Sequence, residues 1–218
     1  MKRVLIVLAK APVPGRVKTR LCPPATPRQA AELAAAALAD TLAAARRVRS
    51  ARVLVALDGE PDAALDAALS GTTVIAQRGG PLGERIAAAH ADAARMAPGA
   101  CTVQIGMDTP QLDPAVLGRC LDAVSHPAGP DALLGPAADG GWWALALRIP
   151  RHADLIRHVP TSRADTGART RAALEAAGLR VAALPRLTDV DTMVDARAVA
   201  RACPGSRFAV ALHAALGA

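Results

Sequence analysis

The sequence has very few aromatic residues, with one Phe, two Trp and no Tyr among 218 residues. This scarcity excludes a nucleic-acid-binding module that stacks bases on aromatic side chains. Lysine is also rare, because only Lys2, Lys10 and Lys18 occur among the 26 basic residues. The arginines are dispersed, so the net charge of +7 favours a solvated surface or a phosphate-bearing small ligand over a polynucleotide.

Paired cysteines and long apolar runs are absent as well. The four cysteines have no C-x-x-C spacing and no histidine at zinc-finger spacing, which indicates a reducing cytoplasm and no structural zinc. The apolar run near the amino terminus stops at Lys10 after six residues, too short for a signal peptide. The alanine-rich stretch after Pro27 carries Glu32 and Asp40 and therefore does not read as a membrane span. We predict a cytoplasmic protein without a membrane partner.

Hydrophobic residues make up 52% of the chain, which is enough for a sizeable core and excludes a disordered chain. In the first half, short β-branched apolar runs alternate with helical patterns, and this alternation predicts an α/β fold with a parallel sheet covered on both faces. The second half adds strands over residues 132–135 and 142–147 without a helix between them. Because no linker or repeat is present, we predict a single domain over residues 1–218.

Local signals predict several element boundaries. A first strand is expected over residues 3–9, a helix over 163–177 and a late strand over 180–184. Thr26, followed by Pro27 and by Gln29 three residues on, predicts a capping box at the start of a long helix that runs to about residue 48.

Residues 10–21 follow the first strand and hold four cations together with prolines and a glycine. The segment is not a P-loop, because no glycine stands directly before Lys18. Gly15 lets backbone N–H groups approach an anion, and Lys18 and Arg20 supply charge. The segment therefore predicts a phosphate cradle; the alternative is a solvated loop with incidental charge.

Acidic residues follow two other predicted strands. Asp108 ends the fourth strand, and Asp189 and Asp191 come after the last one. Ligands of such sheets lie at the carboxyl ends of the strands, so Asp108 and Asp191 are candidates to hold Mg²⁺ or Mn²⁺ on phosphate oxygens. The alternatives are a turn role for Asp108 and a helix-capping role for Asp191 or Thr192.

A tight turn, Asp139-Gly140-Gly141, precedes Trp142 and Trp143, the two tryptophans of the chain. A core role is the more frequent explanation for such rings. The alternative is that one ring lines an acceptor site, and this alternative makes acceptor-binding candidates of Asp139, Gly140, Gly141 and Trp142.

Glycines also follow the third predicted strand, in residues 77–83. They are suited to admit a nucleotide's base and ribose close to the backbone, since they lack a Cβ. They could equally serve only to open the next helix.

As an ordered set, these motifs resemble the bacterial family of GT-A-like nucleotide-diphospho-sugar transferases, over essentially the whole chain. The resemblance rests on Lys10-x-Pro12-x-x-Gly15-x-Val17-Lys18-Thr19-Arg20-Leu21, Gly106-x-Asp108-x-Pro110, Asp139-Gly140-Gly141 and Asp189-Val190-Asp191-Thr192. More distantly, the Lys18-Thr19-Arg20-Leu21 segment is similar to one in 2-phospholactate guanylyltransferases. Gly80-Pro81-Leu82-Gly83 is similar to one in molybdenum-cofactor guanylyltransferases.

The resemblance implies a single-domain GT-A (Rossmann-like) three-layer sandwich with a mixed, mostly parallel sheet. It implies Lys18 and Arg20 on the phosphates and Asp108 with Asp191 on a divalent metal, so that Lys18, Arg20 and Asp108 are the catalytic candidates. A nucleotide would lie on the first half of the sheet, against Lys10, Pro12, Gly15, Lys18, Gly80, Leu82 and Gly83.

The favoured activity is nucleotidyl transfer from a nucleoside triphosphate to a small, phosphorylated acceptor with release of pyrophosphate. One alternative is a glycosyltransferase that uses a nucleotide-diphosphate sugar, with Asp139 as the candidate base. Another is a non-catalytic nucleotide-binding domain. The sequence does not identify the nucleotide base or the acceptor. It also leaves a homodimer open, because the alanine-rich helices could pack within the chain or against a partner.

Overall fold

The computed structural model describes residues 1–217, and its centre is a seven-stranded sheet. In chain order the strands are β1 (Arg3–Lys10), β2 (Arg52–Asp58), β3 (Thr73–Ala76), β4 (Cys101–Gly106), β5 (Ala132–Pro136), β6 (Trp142–Leu147) and β7 (Val181–Ala183). Their order across the sheet is β3-β2-β1-β4-β6-β5-β7. Strand β6 is antiparallel to β4 and β5, and the other neighbouring pairs are parallel. The prediction of a mixed, mostly parallel sheet is confirmed.

Helices cover both faces of this sheet. They are α1 (Pro27–Arg46), α2 (Ala63–Leu69), α3 (Leu82–Met96), α4 (Pro114–Ser125), α5 (Thr166–Ala176), α6 (Met193–Ala202) and α7 (Arg207–Leu216). Helices α1, α2 and α4 pack on one face, whereas α3, α5 and a 3-10 helix, Pro150–Ile156, pack on the other. Helices α6 and α7 cover the outer side of α1 around the fully buried Phe208. The predicted α/β layering is confirmed.

Strand β1 lies inside the sheet because its apolar residues can be buried on both faces. Leu5 and Val7 pack under α1 and α4, and Val4 and Ile6 pack under α3. Helix α1 begins with the predicted capping box: Gln29 N–H donates to Thr26 Oγ1 over 3.2 Å, and Thr26 N–H donates to Gln29 Oε1 over 2.8 Å. These bonds pair backbone donors that a helix start leaves without intrahelical partners.

Several predicted boundaries were wrong by one to three residues. Strand β1 continues to Lys10, and α1 ends at Arg46. Helix α5 begins at Thr166 and not at 163, because Thr166 Oγ1 accepts from Arg163 N–H and donates to Pro160 O, which closes a non-helical turn. The late strand is limited to 181–183, since Arg180 bonds to Asp131 outside the ladder.

No helix within residues 1–217 combines the length and the apolar character needed to cross a bilayer. The four cysteines are free thiols, and Cys101 and Cys120 are buried. Burial raises the pKa of the Cys120 thiol to about 11, so this residue packs as an inert apolar side chain. The cytoplasmic location and the single domain stay predictions.

His90 on α3 should make folding stability depend on pH. The ring is fully buried, its Nδ1 lies 2.9 Å from Thr102 Oγ1, and its Nε2 has no partner among residues 1–217. Burial lowers the pKa of His90 to about 3, against roughly 6.5 in an unfolded chain. Between these values the unfolded state binds more protons, so the free energy of unfolding should fall by about 2 kcal/mol from pH 7 to pH 5.

Urea unfolding at pH 7 and pH 5 measures this loss. His90→Leu removes the titrating group, and its unfolding free energy should therefore change less over the same pH range. An equal change in the wild-type and variant proteins would contradict the assignment, because it would then come from other groups.

Candidate active site

The loop after β1 holds Lys18 between two buried anchors. Val17 is 7% exposed and Leu21 is fully buried in the layer between α1 and α6. Lys18 itself adopts the left-handed conformation, with φ 48° and ψ 37°, just before a 3-10 turn, Thr19–Leu21. This conformation is uncommon for a residue with a side chain. Fixed on both sides, Lys18 reaches across the sheet edge to the end of the neighbouring strand β4.

Three carboxylates meet at that edge, and we call Asp108, Asp189 and Asp191 the acid triad. Asp108 lies two residues beyond β4, and the other two lie on the segment after β7. That segment returns along β5 and reaches β4, where Val190 N–H donates to Asp108 O over 3.0 Å. As a result, one carboxylate oxygen from each residue lies within 4.8 Å of the others. Candidate metal ligands that are over 80 residues apart in sequence thus share one site.

Lys18 and Arg20 pair with the triad. Lys18 Nζ lies 2.7 Å from Asp108 Oδ2 and 3.2 Å from Asp191 Oδ1, and Arg20 Nη1 lies 3.2 Å from Asp191 Oδ2. Burial lowers the pKa of Lys18, but the two carboxylates outweigh it and leave that pKa above its ordinary value, so the side chain is charged. Arg20 is 71% exposed, and its ion pair therefore contributes little and leaves it free to contact a ligand.

The pKa of Asp189 reflects both its burial and the closeness of the three carboxylates. Its burial, followed by repulsion from Asp108 and Asp191, raises its pKa to about 6. Three carboxylates this close together repel one another when they are ionised. A bound cation would offset that repulsion, so the arrangement favours cation binding. Sequence reasoning named Asp108 and Asp191 as the metal ligands, and the Asp-Val-Asp alternation also indicated that the Asp189 and Asp191 carboxylates could face one cation.

The donor set suits Mg²⁺ or Mn²⁺, which prefer oxygen ligands. Oxygens on opposite sides of a magnesium ion are about 4.2 Å apart, and the three triad oxygens lie within 4.8 Å of one another. The residues therefore fit a small divalent ion after a modest rotation of one carboxylate or with a water ligand. Asp108, Asp189 and Asp191 are the residues that would hold it.

The triad separates two cavities of similar size. The first, the cationic groove, has a volume of about 310 Å³ and is lined by Lys10, Arg16, Lys18, Arg20 and the triad members Asp108 and Asp191. The second, the inner cavity, has a volume of about 300 Å³ and also contains Asp108, Asp189 and Asp191 in its wall. Its other walls include Leu8, Leu82, Ile86, Gln104, Asp139 and Trp142. An ion at the triad would thus face an anion-binding groove and a more apolar chamber.

A larger groove of about 710 Å³ lies elsewhere, between α3 and the Pro150–Ile156 helix, and Arg78, Arg95, Arg151 and Arg157 line it. Both Arg78 and Arg95 already pair with Asp92, which is 8% exposed. Because no triad residue lines this groove, we place the chemistry at the two smaller cavities, although this groove has the larger volume.

The predicted nucleotide-binding residues separate into two groups. Lys10 and Lys18 line the cationic groove, and the half-buried Pro12 and exposed Gly15 belong to the same loop. Beyond β3, Leu82 lies in the wall of the inner cavity. Gly80 N–H donates to Glu84 Oε2 over 3.0 Å, and Gly83 packs against Arg157 O. Gly83 is buried, so the structure places it between two helices and away from the groove.

The predicted acceptor residues line the inner cavity in part. Asp139 Oδ1 accepts from Gly141 N–H over 2.8 Å, and both residues border the cavity. Gly140, at φ +89°, faces Ala164 O instead, and a Cβ there would overlap that carbonyl. Trp142 is half-buried and lines the cavity, and Trp143 also borders the cavity although it is 3% exposed and belongs to the core. Trp142 therefore matches the alternative of a ring that lines an acceptor site, whereas Trp143 combines a core position with a place in the cavity wall.

Sequence reasoning missed Gln104, whose side chain borders the inner cavity from strand β4. The available signal was one amide in a strand whose other residues are apolar or small. Thr161, Ser162 and Arg163 also line this cavity. Only Arg163 falls within the predicted helix of residues 163–177; Thr161 and Ser162 lie just before it, and sequence reasoning named none of the three as a site residue.

Comparison with known proteins gives one family and several structures. The family model described as "uncharacterized protein conserved in bacteria (DUF2064)" matches residues 41–163. A candidate nucleotide-diphospho-sugar transferase from Desulfovibrio desulfuricans G20 is 26% identical, with a TM-score of 0.86 over 98% of this chain and 95% of its own. No curated protein matches the chain.

Two further structures show the same fold at lower identity. CMP:2-keto-3-deoxy-manno-octonic acid synthetase, complexed with CTP, is 14% identical with a TM-score of 0.59, over 91% of this chain and 97% of its own. Rv0371C from Mycobacterium tuberculosis H37Rv, complexed with manganese, is 24% identical with a TM-score of 0.54, over 91% and 98%. The predicted resemblance to nucleotide-diphospho-sugar transferases and the predicted fold are confirmed.

Proposed function

The chain belongs to the DUF2064 family of bacterial proteins, and from its site we propose that it is a metal-dependent nucleotidyltransferase. It would transfer a nucleoside monophosphate from a nucleoside triphosphate to a small acceptor and release pyrophosphate. One observation carries the proposal: the acid triad lies between a cationic groove and a second cavity. A donor polyphosphate and an acceptor can therefore approach one metal ion from two sides.

The charge of the cationic groove supports a triphosphate donor. Lys10, Arg16, Lys18 and Arg20 border a groove of about 310 Å³, and a triphosphate carries more negative charge than a diphosphate sugar shielded by one metal ion. A synthetase of the same fold is known in complex with CTP, which also supports the proposal.

Positioning and electrostatic stabilisation would supply most of the catalysis. A divalent ion on the triad would withdraw charge from the phosphate that is attacked. Lys18 and Arg20 would leave their carboxylates and neutralise the departing pyrophosphate. No histidine borders either cavity in the described part of the chain, and an acceptor that attacks through a phosphate oxygen would not require a general base.

Glycosyl transfer from a nucleotide-diphosphate sugar is the second candidate function. Asp139 is exposed and borders the inner cavity, so a carboxylate is available there as a base for a sugar hydroxyl. Such a reaction would release a nucleoside diphosphate and no pyrophosphate, so the products distinguish the two candidates.

The test is incubation with each of the four ribonucleoside triphosphates, Mg²⁺ or Mn²⁺, and a panel of sugar phosphates. We expect pyrophosphate release with one triphosphate, dependent on metal and acceptor. Release of nucleoside diphosphate from a nucleotide sugar would favour the second candidate. Nucleotide binding with neither product would indicate a non-catalytic binding domain.

A further inference from the structure

Gln104 has a buried amide oxygen without a partner in the part of the chain that the structure describes. The residue is 3% exposed, and its Oε1 has no hydrogen-bond partner among residues 1–217. Its side chain is in the wall of the inner cavity. Gln77 in the same sheet region shows the ordinary situation, because its Nε2 donates to Ala9 O and Ala56 O over 2.7 and 3.0 Å. A buried polar group that lacks such partners costs free energy unless a ligand or water supplies them.

Strand β4 connects Gln104 with the acid triad, because Asp108 follows the end of this strand. Residues 102, 104 and 106 share one face of β4, since alternate residues of a strand point the same way, and Asp108 follows. Gly106 lies between Gln104 and Asp108 in the wall of the inner cavity. A Cβ at Gly106 would lie 2.6 Å from Asp108 Oδ1. Because glycine has no side chain, Gly106 leaves room for the Asp108 carboxylate and keeps the space between Gln104 and the triad open.

We propose that Gln104 determines acceptor specificity by binding a hydroxyl group of a small phosphomonoester, such as a polyol phosphate or a sugar phosphate. This inference rests on the proposed function, in which the acceptor's phosphate oxygen reacts at the triad. A hydroxyl both donates and accepts, and the Gln104 amide can offer either its oxygen or its nitrogen by rotation about its last torsion. The hydroxyl and the phosphate would then occupy opposite ends of the inner cavity.

The dimensions and walls of the inner cavity fit that class of molecule. The four residue-to-residue steps from Gln104 to Asp108 span at most about 13 Å at the rise of an extended chain. The volume of about 300 Å³ lies at the lower end for small-molecule sites. Leu8, Ile86 and the Trp142 ring supply apolar wall, so an acceptor without hydroxyls would fit by shape. It would leave the Gln104 amide unpaired, and for this reason the site should reject it by about 10- to 100-fold.

Two matched pairs of acceptors test the proposal: glycerol 3-phosphate against n-propyl phosphate, and glucose 1-phosphate against cyclohexyl phosphate. In the presence of Mg²⁺ and an α,β-methylene nucleoside triphosphate, which cannot release pyrophosphate, thermal shift gives the apparent affinity for each compound. We expect at least one hydroxylated compound to bind the wild-type protein at least tenfold more tightly than its partner. Gln104→Leu should lose that preference. Failure of both hydroxylated compounds to bind, or a preference that survives in Gln104→Leu, would overturn the proposal.

The stability of the variants without ligand separates a ligand-binding amide from a structural one. Gln104→Leu should keep or raise the melting temperature, whereas Gln77→Leu, which loses two hydrogen bonds, should lower it. Gln104→Met, unbranched and without hydrogen-bonding groups, repeats the test if leucine does not fit. A loss of stability in both Gln104 variants like that of Gln77→Leu would show a structural role. Binding of triphosphate and Mg²⁺ without acceptor is measured first, because its failure would refute the proposed function itself and not only the acceptor class.

Discussion

Asp108→Asn should lower the rate of pyrophosphate release by about a thousandfold while leaving the fold intact. The substitution removes one of three negative ligands from the acid triad, and a metal ion that is bound more weakly stabilises developing phosphate charge less. A loss of about 4 kcal/mol of such stabilisation corresponds to this factor. The fold should survive because the Asp108 side chain is 25% exposed and its ion pair with Lys18 lies at the surface end of the strand.

The measurement compares turnover, Mg²⁺ or Mn²⁺ binding and melting temperature with those of Asp66→Asn. Asp66 is an exposed residue on α2 that borders neither cavity, and it therefore controls for the chemical change alone. Turnover and metal binding should fall in Asp108→Asn only. An Asp108→Asn protein that unfolds, or that binds metal as the wild type does, would show that Asp108 is structural.

The meeting of Lys18 with Asp108 and Asp191 could be predicted from the sequence. Each follows a segment that reads as a strand, and parallel strands present their carboxyl ends at one edge. In the structure β1 and β4 are neighbours, so Lys18 Nζ lies 2.7 Å from Asp108 Oδ2. The geometry is as expected, and the catalytic and metal-binding roles of these residues stay predictions.

Other parts of the site depend on contacts between distant segments, and local sequence signals alone do not establish them. The hydrogen bond from Val190 N–H to Asp108 O brings Asp189 into the triad, and the sequence does not indicate which backbone groups pair. Gly83 resembled a nucleotide-binding glycine, but it is required where α3 meets Arg157 O. The Gln104 amide oxygen has no partner within residues 1–217, and this becomes evident only when the surrounding inner cavity is known.

Lys18→Gln should have opposite effects on turnover and on metal binding. Lys18 lies within 3.2 Å of both Asp108 and Asp191, so in the absence of nucleotide its ammonium group competes with a divalent ion for the same oxygens. Removal of the charge should tighten Mg²⁺ or Mn²⁺ binding to the nucleotide-free protein several-fold. Turnover should fall by about a hundredfold, since a preorganised donor to the departing phosphates is lost.

Metal titration by calorimetry and steady-state kinetics measure the two effects, with Lys2→Gln as the matched control because Lys2 is exposed at the other end of β1. Tighter metal binding together with slower turnover would mean that Lys18 exchanges its carboxylate partners for phosphate when the donor binds. Weaker metal binding would mean instead that Lys18 holds the carboxylates in place for the ion. In that case Arg20, which is far more exposed, would be left as the main cation for the pyrophosphate.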